Sequence, residues 1–585
     1  MKCSKSEKKP TYTWLTRSKF TKAVKSQVNK TDLLYQDIDW AKCNAQLLKK
    51  QSEILMAFRG KNEKLVQILQ NELIQSFSAR ALAVRKVTTN NEKKTPGIDS
   101  VIWDDNSKKM EAIRSLRSIF PYKAAPVKRV YIPKSDGTQR PLGIPTMRDR
   151  AVQTLWIFAL DPIAEEVSDR RSYGFRKFRG VHDCSTYLKL VLGSYTNTRK
   201  YVLDADVSKL FDSVSHQWLL EHIPMDSRFL KEFLKAGFLE KGTYRDTEDG
   251  FPQGGSISPV IARMILDGIE AELGEDFRVA RYADDFVVLG KTESQLKVTA
   301  MPMIRKFLEL RGLKLNERKT KICSIQDGFD FLGLHFREYE NQARAKGVKI
   351  GIFLVKPTDK KVIEFKGKLS EVIEDHQHKP IALMIMSLNR MLKGWSEHYR
   401  VVSSTKVFNT ISYHLFKKLW KFLKKRYPKT AHREIVKRHF TRIGNDKWVF
   451  CDVPSRDGFQ TDKVTLFQIG NVRMKRHLLC TGGNPYDPSN HKYYANRIVR
   501  ICNVDPNPKS VRSRLARTQK ALCPVCNTAL TREEELEVHH IIPRKDKGSN
   551  KLSNLKLVHK VCHKQLTHTK SKKLKAAFKA AGLIH

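Results

Sequence analysis

Tyr282-Ala283-Asp284-Asp285 stands between two strand-like stretches, Val279 to Tyr282 before the aspartates and Phe286-Val287-Val288-Leu289-Gly290 after them. The pattern predicts strand, tight turn, strand, with two carboxylates at the exposed turn. Adjacent like charges raise each other's energy unless a cation lies between them. A divalent metal is the usual resolution, and paired metals about 3.5–4 Å apart run phosphoryl transfer. A solvated Asp-Asp turn is the plain alternative, because Asp is a common turn residue.

A third carboxylate lies upstream. Tyr201-Val202-Leu203-Asp204-Ala205-Asp206-Val207 alternates apolar and polar residues, which fits a strand carrying Asp206 near its end. Asp204 and Asp206 then share one face, since strand side chains repeat every two residues. Phe251-Pro252-Gln253-Gly254-Gly255 follows, with two glycines that let backbone approach a ligand. Val260 to Leu273 is expected to be a helix, capped by Ser258 and opened by Pro259.

The ordered set Asp206-Val207 with Phe211-Asp212, Pro252-Gln253-Gly254 and Tyr282-Ala283-Asp284-Asp285 resembles the palm of a reverse transcriptase. Upstream stand Thr95-Pro96-Gly97-Ile98-Asp99, Tyr131-Ile132-Pro133-Lys134, Arg140-Pro141-Leu142-Gly143-Ile144-Pro145 and Ser172-Tyr173-Gly174-Phe175-Arg176. Downstream stand Leu315-Asn316-Glu317-Arg318-Lys319-Thr320 and Phe331-Leu332-Gly333-Leu334. Together they resemble the group II intron-encoded reverse transcriptases. The resemblance implies that Asp206 and Asp284 ligate two Mg2+ ions, with Asp285 supporting and the carbonyl of Val207 as an extra ligand. It places Lys134 and Arg140 on the triphosphate, Gln253 in the nucleotide-pocket floor, Phe211 against the sugar, and Lys319 near the metals.

The chain has 585 residues and a formal net charge of +48, the footprint of a polyanionic partner. Its hydrophobic fraction, 40%, suffices for packed cores, and its length allows several domains. No apolar run approaches the roughly 18 residues of a membrane helix. Met1 to Pro10 is lysine-rich without a following apolar stretch, unlike a secretory signal. No membrane partner and no secretion are expected; the expected location is the cytoplasm or nucleoid of a bacterium, or an organelle. Of ten cysteines, only Cys523, Cys526 and Cys562 look like a set.

An α+β multidomain chain is expected, in five parts. Residues 1–90 form a basic, flexible segment of about 36 residues and then a helical extension, with Leu65, Val66, Ile68, Leu69, Leu73 and Ile74 at helix spacing. Residues 91–354 form the fingers and palm of a right-hand reverse transcriptase. Residues 355–450 form a helical thumb; Leu388-Asn389 with Gly394-Trp395 and Tyr399 resembles the maturase domain X. Lysines interleave with Leu415, Phe416, Leu419, Trp420 and Phe422, as suits a grip on a duplex or simply a core helix with a solvated basic face. Residues 451–518 correspond by order to the family's DNA-binding region. Residues 519–585 are the last part, expected to fold apart from the palm.

That tail reads Cys523-Pro524-Val525-Cys526, Glu537-Val538-His539-His540-Ile541-Ile542-Pro543, Asn554-Leu555 and His559-Lys560-Val561-Cys562-His563. CxxC followed by HxxC suits a structural, tetrahedral Zn2+ on Cys523, Cys526, His559 and Cys562. The string resembles an HNH endonuclease of the ββα-metal type. The resemblance implies that His539 and His563 bind a nuclease Mg2+ or Mn2+, that His540 is the general base, and that Asn554 holds the base-bearing loop. His559 is ambiguous in that pattern: zinc-free relatives use histidine there for the catalytic metal. The upstream CxxC favours zinc.

The resemblance as a whole implies a multifunctional intron mobility protein: RNA-directed DNA polymerase, splicing maturase and site-specific endonuclease acting in target-primed reverse transcription. Its expected partners are group II intron RNA, target double-stranded DNA and deoxynucleoside triphosphates. The alternatives are an RNA-binding splicing factor alone, or a reverse transcriptase recruited to a non-mobile role.

Overall fold

A computed structural model describes residues 33–133, 137–194, 196–340, 351–452, 455–456, 459–460, 463–502, 504–505 and 510–585. The basic segment up to residue 32, and Lys134, lie outside the described residues.

The extension is helical, as its periodicity predicts. α1 (Trp40–Arg59), α2 (Glu63–Gln75) and α3 (Phe77–Thr89) are each opened by a side-chain cap, from Asp39, Asn62 and Ser76. Each cap oxygen accepts an N–H that the first helical turn leaves unpaired. α3 is buried on nearly all sides, from Ser78 through Val87. A helix so enclosed belongs to the interior rather than to a surface. Long helix α4 (Met147–Val167), capped by Thr146, packs across all three.

The fingers carry the antiparallel hairpin β1 (Val127–Pro133) and β2 (Gln139–Ile144). The palm is an antiparallel sheet. β4 (Arg278–Tyr282) pairs with β5 (Asp285–Gly290), β5 with β3 (Tyr201–Ser208), and β3 on its far side with β6 (Lys314–Leu315) and β7 (Lys321–Ser324). Both faces of this sheet are covered, which is why Phe286 to Leu289 reads as an unbroken apolar run. Leu203, Phe286 and Val288 face the core shared with α4; Val202, Val287 and Leu289 face a second core. That second core is completed by helix α5 (Val181–Leu192), the strands Phe329–Phe331, Leu334–Tyr339 and Ile352–Pro357, and the helices Asp359–Asp375, Ile381–Tyr399 and Thr405–Arg426.

Two expectations are corrected here. The helix expected through Leu273 breaks: Ser258–Leu266 ends at Asp267, and Ile269–Leu273 restarts after Gly268, whose φ is +97°. The break places Asp267 against the buried Arg281 of β4. Ser258 does not cap; its hydroxyl donates to the Pro252 carbonyl at 2.8 Å, and Ile257 holds the cap position. The tail packs against the extension. Cys523, Cys526 and Cys562 lie in the same core as Trp40 and α3. The tail is a two-stranded hairpin, β8 (Leu536–His540) with β9 (Leu555–His559), followed by helices Lys560–His568 and Lys572–Ala580.

Candidate functional site

The β4–β5 connection is the tight turn that the residues predict, with Ala283 at φ +59°. Ser172 bridges Arg281 in parallel; the Tyr173 N–H donates to the Arg281 carbonyl at 2.9 Å, and the Arg281 N–H to the Arg171 carbonyl at 3.0 Å. A side chain on Gly174 would meet the Ala283 nitrogen at 2.2 Å, so only glycine lets this segment lie flat on the turn. The Arg281 guanidinium also donates to the Ala283 carbonyl at 3.3 Å. The Ser172-Tyr173-Gly174 motif thus braces the carboxylate hairpin from behind.

Register sets the carboxylates. Asp206 lies directly opposite Asp285, and Asp204 opposite Val287, so Asp204, Asp206 and Asp285 share a face. Asp284 occupies the turn beside them. Asp206 Oδ2 accepts from Asn316 Nδ2 at 2.9 Å and lies 3.3 Å from Lys319 Nζ. Its carbonyl accepts the Asn316 N–H at 2.8 Å. Lys319 is therefore beside the carboxylates; Asn316, quoted above only as part of a motif, is a contact that the residue reading missed. Burial, then Asp284, Asp206 and Asp204, push the Asp285 carboxyl up to about 6. Burial and Asp206 push Asp204 up to about 6. Such shifts mark uncompensated negative charge, which a dication relieves. The donor set, carboxylate oxygens, suits a hard, oxygen-seeking ion such as Mg2+.

Around it, Phe211 packs edge-on against Phe251, with ring centroids 5.2 Å apart. The Gly143 N–H donates to the Gln253 carbonyl at 2.6 Å, which ties the Pro252–Gly255 loop to β2. Gly254 is at φ +110°, and a Cβ there would meet the Gly143 carbonyl at 2.6 Å, so its backbone lies close against the fingers strand. Arg140 is exposed on β2. Val207 is buried and pairs with Leu315.

In the tail, the ligand atoms of Cys523, Cys526, His559 and Cys562 lie within 4.8 Å of one another, and all four residues are buried. His559 Nε2 lies 3.3 Å from the Ala529 carbonyl, and Nδ1 lies 3.4 Å from Cys526 Sγ. An Nε2–H bonded to that carbonyl leaves the Nδ1 lone pair aimed at the thiols, the arrangement metal-binding histidines adopt. Three sulfurs and one imidazole nitrogen match structural zinc.

His539 and His563 approach edge to face at 5.2 Å between ring centres. His539 Nε2 is held by the Leu583 carbonyl at 2.8 Å, which frees Nδ1; burial lowers its pKa and keeps it neutral. His563 Nδ1 lies 2.5 Å from Glu537 Oε2, which frees Nε2. Glu537 was not singled out in the sequence, although period two puts it on the face of His539. His540 is on the opposite face of β8, with Nε2 3.0 Å from Asn550 Oδ1. Asn554 accepts the Ile542 N–H at 2.8 Å and donates to the Ile542 and Ser549 carbonyls at 3.0 and 2.8 Å, pinning the loop after His540.

Among the described residues, no helix is long and apolar enough to cross a membrane. Models of known families match in the order of these elements: the N-terminal domain of reverse transcriptase over residues 35–116, reverse transcriptase (RNA-dependent DNA polymerase) over 132–336, the group II intron maturase-specific domain over 362–440, and HNH endonuclease over 523–569. Protein YkfC of Escherichia coli is 33% identical over 306 residues, 43% of this chain and 78% of that protein. The group II intron-encoded protein LtrA of Lactococcus lactis is 33% identical over 198 residues, a match spanning 32% of either chain. Maturase-like protein 1 of Euglena gracilis is 24% identical over 393 residues, 65% of this chain and 80% of that protein. The palm hairpin, the maturase stretch and the ββα tail therefore sit in a single chain that belongs to the group II intron-encoded proteins, a reverse transcriptase with an HNH endonuclease.

Proposed function

We propose that this chain is the mobility protein of a group II intron, copying intron RNA from a DNA end that its own tail exposes. Intron RNA, target duplex DNA and deoxynucleoside triphosphates are its partners, and the five-part division of the sequence describes its working domains. The observation that supports this reading best is the facing pair Asp206 and Asp285 with Asp284 in the adjoining turn. Asp206 and Asp284 hold two Mg2+ ions, with Asp285 and the Val207 carbonyl adjacent. When bound, such ions lower the pKa of a primer 3′-hydroxyl and neutralise the triphosphate. Asn316 and Lys319 orient Asp206. Lys134 and Arg140 clamp the triphosphate, Gln253 shapes the pocket floor, and Phe211 excludes a 2′-hydroxyl.

In the tail, Cys523, Cys526, His559 and Cys562 hold zinc. His539 and His563 hold a Mg2+ or Mn2+ ion, His540 accepts the proton of the attacking water, and Asn554 fixes the loop that carries it. A nick leaves the 3′-hydroxyl that the palm extends. The test supplies the chain, its intron RNA, a target plasmid, Mg2+ and nucleotides. Intron cDNA covalently joined to the nicked strand supports the reading. Extension of added primers with no nick in any target would reduce the chain to a polymerase.

A further inference from the structure

Arg85, on α3 of the extension, is 4% exposed. A guanidinium stays charged in proteins, and burying it costs several kcal/mol unless it is paired. Its Nη2 lies 3.6 Å from Cys562 Sγ, 3.8 Å from Cys526 Sγ and 3.2 Å from Glu534 Oε2. The Trp40 ring covers it, 5.1 Å from centroid to guanidinium carbon. Glu534 keeps 30% of its side chain open to solvent, so this pair alone does not account for so deep an arginine. The two sulfurs do. A dication held by three thiolates and a neutral imidazole carries one net negative charge, and N–H donors to zinc-bound sulfur are part of such a site.

The same seam is stitched on both sides of the sulfurs. Asn44 Nδ2 donates to the Cys526 carbonyl at 3.2 Å. Gln565 Nε2 donates to the Gln36 and Ile38 carbonyls at 3.1 and 2.6 Å, and Thr569 Oγ1 donates to Asp37 at 2.5 Å. Lys93 pairs with Glu535 at the rim. The hydrogen bonds anchor the tail's first metal-binding turn and its last-strand helix to the extension.

We propose that the Cys523–Cys526–His559–Cys562 site belongs to two domains: Arg85 of the polymerase extension balances its charge, and zinc thereby fastens the nuclease to the polymerase. This rests on the zinc reading above. On it, zinc loss loosens not only the tail but also α1 and α3, which the tail contacts through Asn44 and Arg85.

The test uses the full chain in three forms: wild type, Arg85→Lys and Arg85→Leu. Zinc is measured by elemental analysis and its affinity by competition with a chelator. Loss of the guanidinium should weaken zinc binding about tenfold to a hundredfold, with Arg85→Lys between. Hydrogen exchange on wild type, before and after chelation, should show faster exchange over residues 40–89 once zinc is removed. This second measurement serves even where Arg85→Leu does not fold. A zinc-holding wild type whose exchange over 40–89 ignores chelation overturns the inference. So does unchanged zinc affinity in folded Arg85 variants. A wild type that holds no zinc overturns the zinc reading itself.

Discussion

The palm carboxylates and the tail sulfurs are built on opposite plans. Asp206 keeps 24% of its side chain exposed, and its cationic neighbour Lys319 keeps 66%. The four tail ligands are all buried, and their donor atoms already converge. An ion that arrives with substrate needs an open site with few protein ligands and spare negative charge. An ion that holds a fold together needs a closed one. Open and closed sites should therefore respond differently to mutation: the palm should lose chemistry and keep its fold, and the sulfur site should lose its fold first.

The largest effect expected is in the palm. Asp284→Asn keeps shape and removes charge, so extension on an RNA template should fall by several orders of magnitude. RNA binding should persist, because the basic surface supplies it. The melting temperature should hold or rise, since one of four repelling carboxylates is gone. Wild-type extension by this variant, measured with saturating Mg2+, would remove the carboxylate pair from the mechanism.

Next is His540→Ala. His540 lies at the opposite end of the hairpin from the Leu536–His559 pair, and its contacts are within its own loop, with Asn550 Oδ1 at 3.0 Å and Arg544 Nε at 3.4 Å. Nicking should drop about 10²- to 10⁴-fold, the usual worth of a general base, while zinc content stays at the wild-type value. Zinc lost together with nicking, on one preparation, would show that the histidines are divided wrongly between the two sites.

Much of this contrast was legible in the residues, for physical reasons. The palm's chemistry sits on two neighbouring strands and a turn, so period two and turn preference placed Asp206, Asp284 and Asp285 directly. The CxxC and HxxC spacings placed the sulfurs, because one tight turn and one helix turn fix each pair. What escaped was chemistry assembled across long loops. Arg85 reads as one basic residue in an alanine-rich helix, and its sulfur partners are 441 and 477 residues away. Asn316 reaches Asp206 across 110 residues. The break at Gly268 is different: a glycine inside an apolar run was visible, and helix periodicity alone overrode it.

Glu537→Gln probes a smaller effect at the nuclease site. A carboxylate against His563 Nδ1 raises the basicity of Nε2 and fixes the ring. Its loss should weaken Mn2+ binding at that site about tenfold to a hundredfold. Zinc content should not change. Equal Mn2+ affinity in both proteins, by calorimetry, would make Glu537 a fold contact only.

Phe211→Ala should have the smallest effect on overall rate and the sharpest effect on substrate choice. The ring is half-buried and held edge-on by Phe251, and the Phe211 carbonyl accepts the Phe251 N–H at 2.7 Å. That backbone bond survives truncation, so the pocket loses a wall and keeps its frame. A 2′-hydroxyl that clashed with the ring then fits, and the preference for deoxyribonucleotide over ribonucleotide should fall about tenfold or more, the scale on which pocket walls discriminate. Some stability is lost with the aromatic pair, about 1 kcal/mol, which lowers both rates together and leaves their ratio untouched. The ratio of kcat/KM for the two nucleotides therefore separates the roles. A moved ratio makes Phe211 a steric gate; two rates that fall in step make it packing for the loop that carries Gln253.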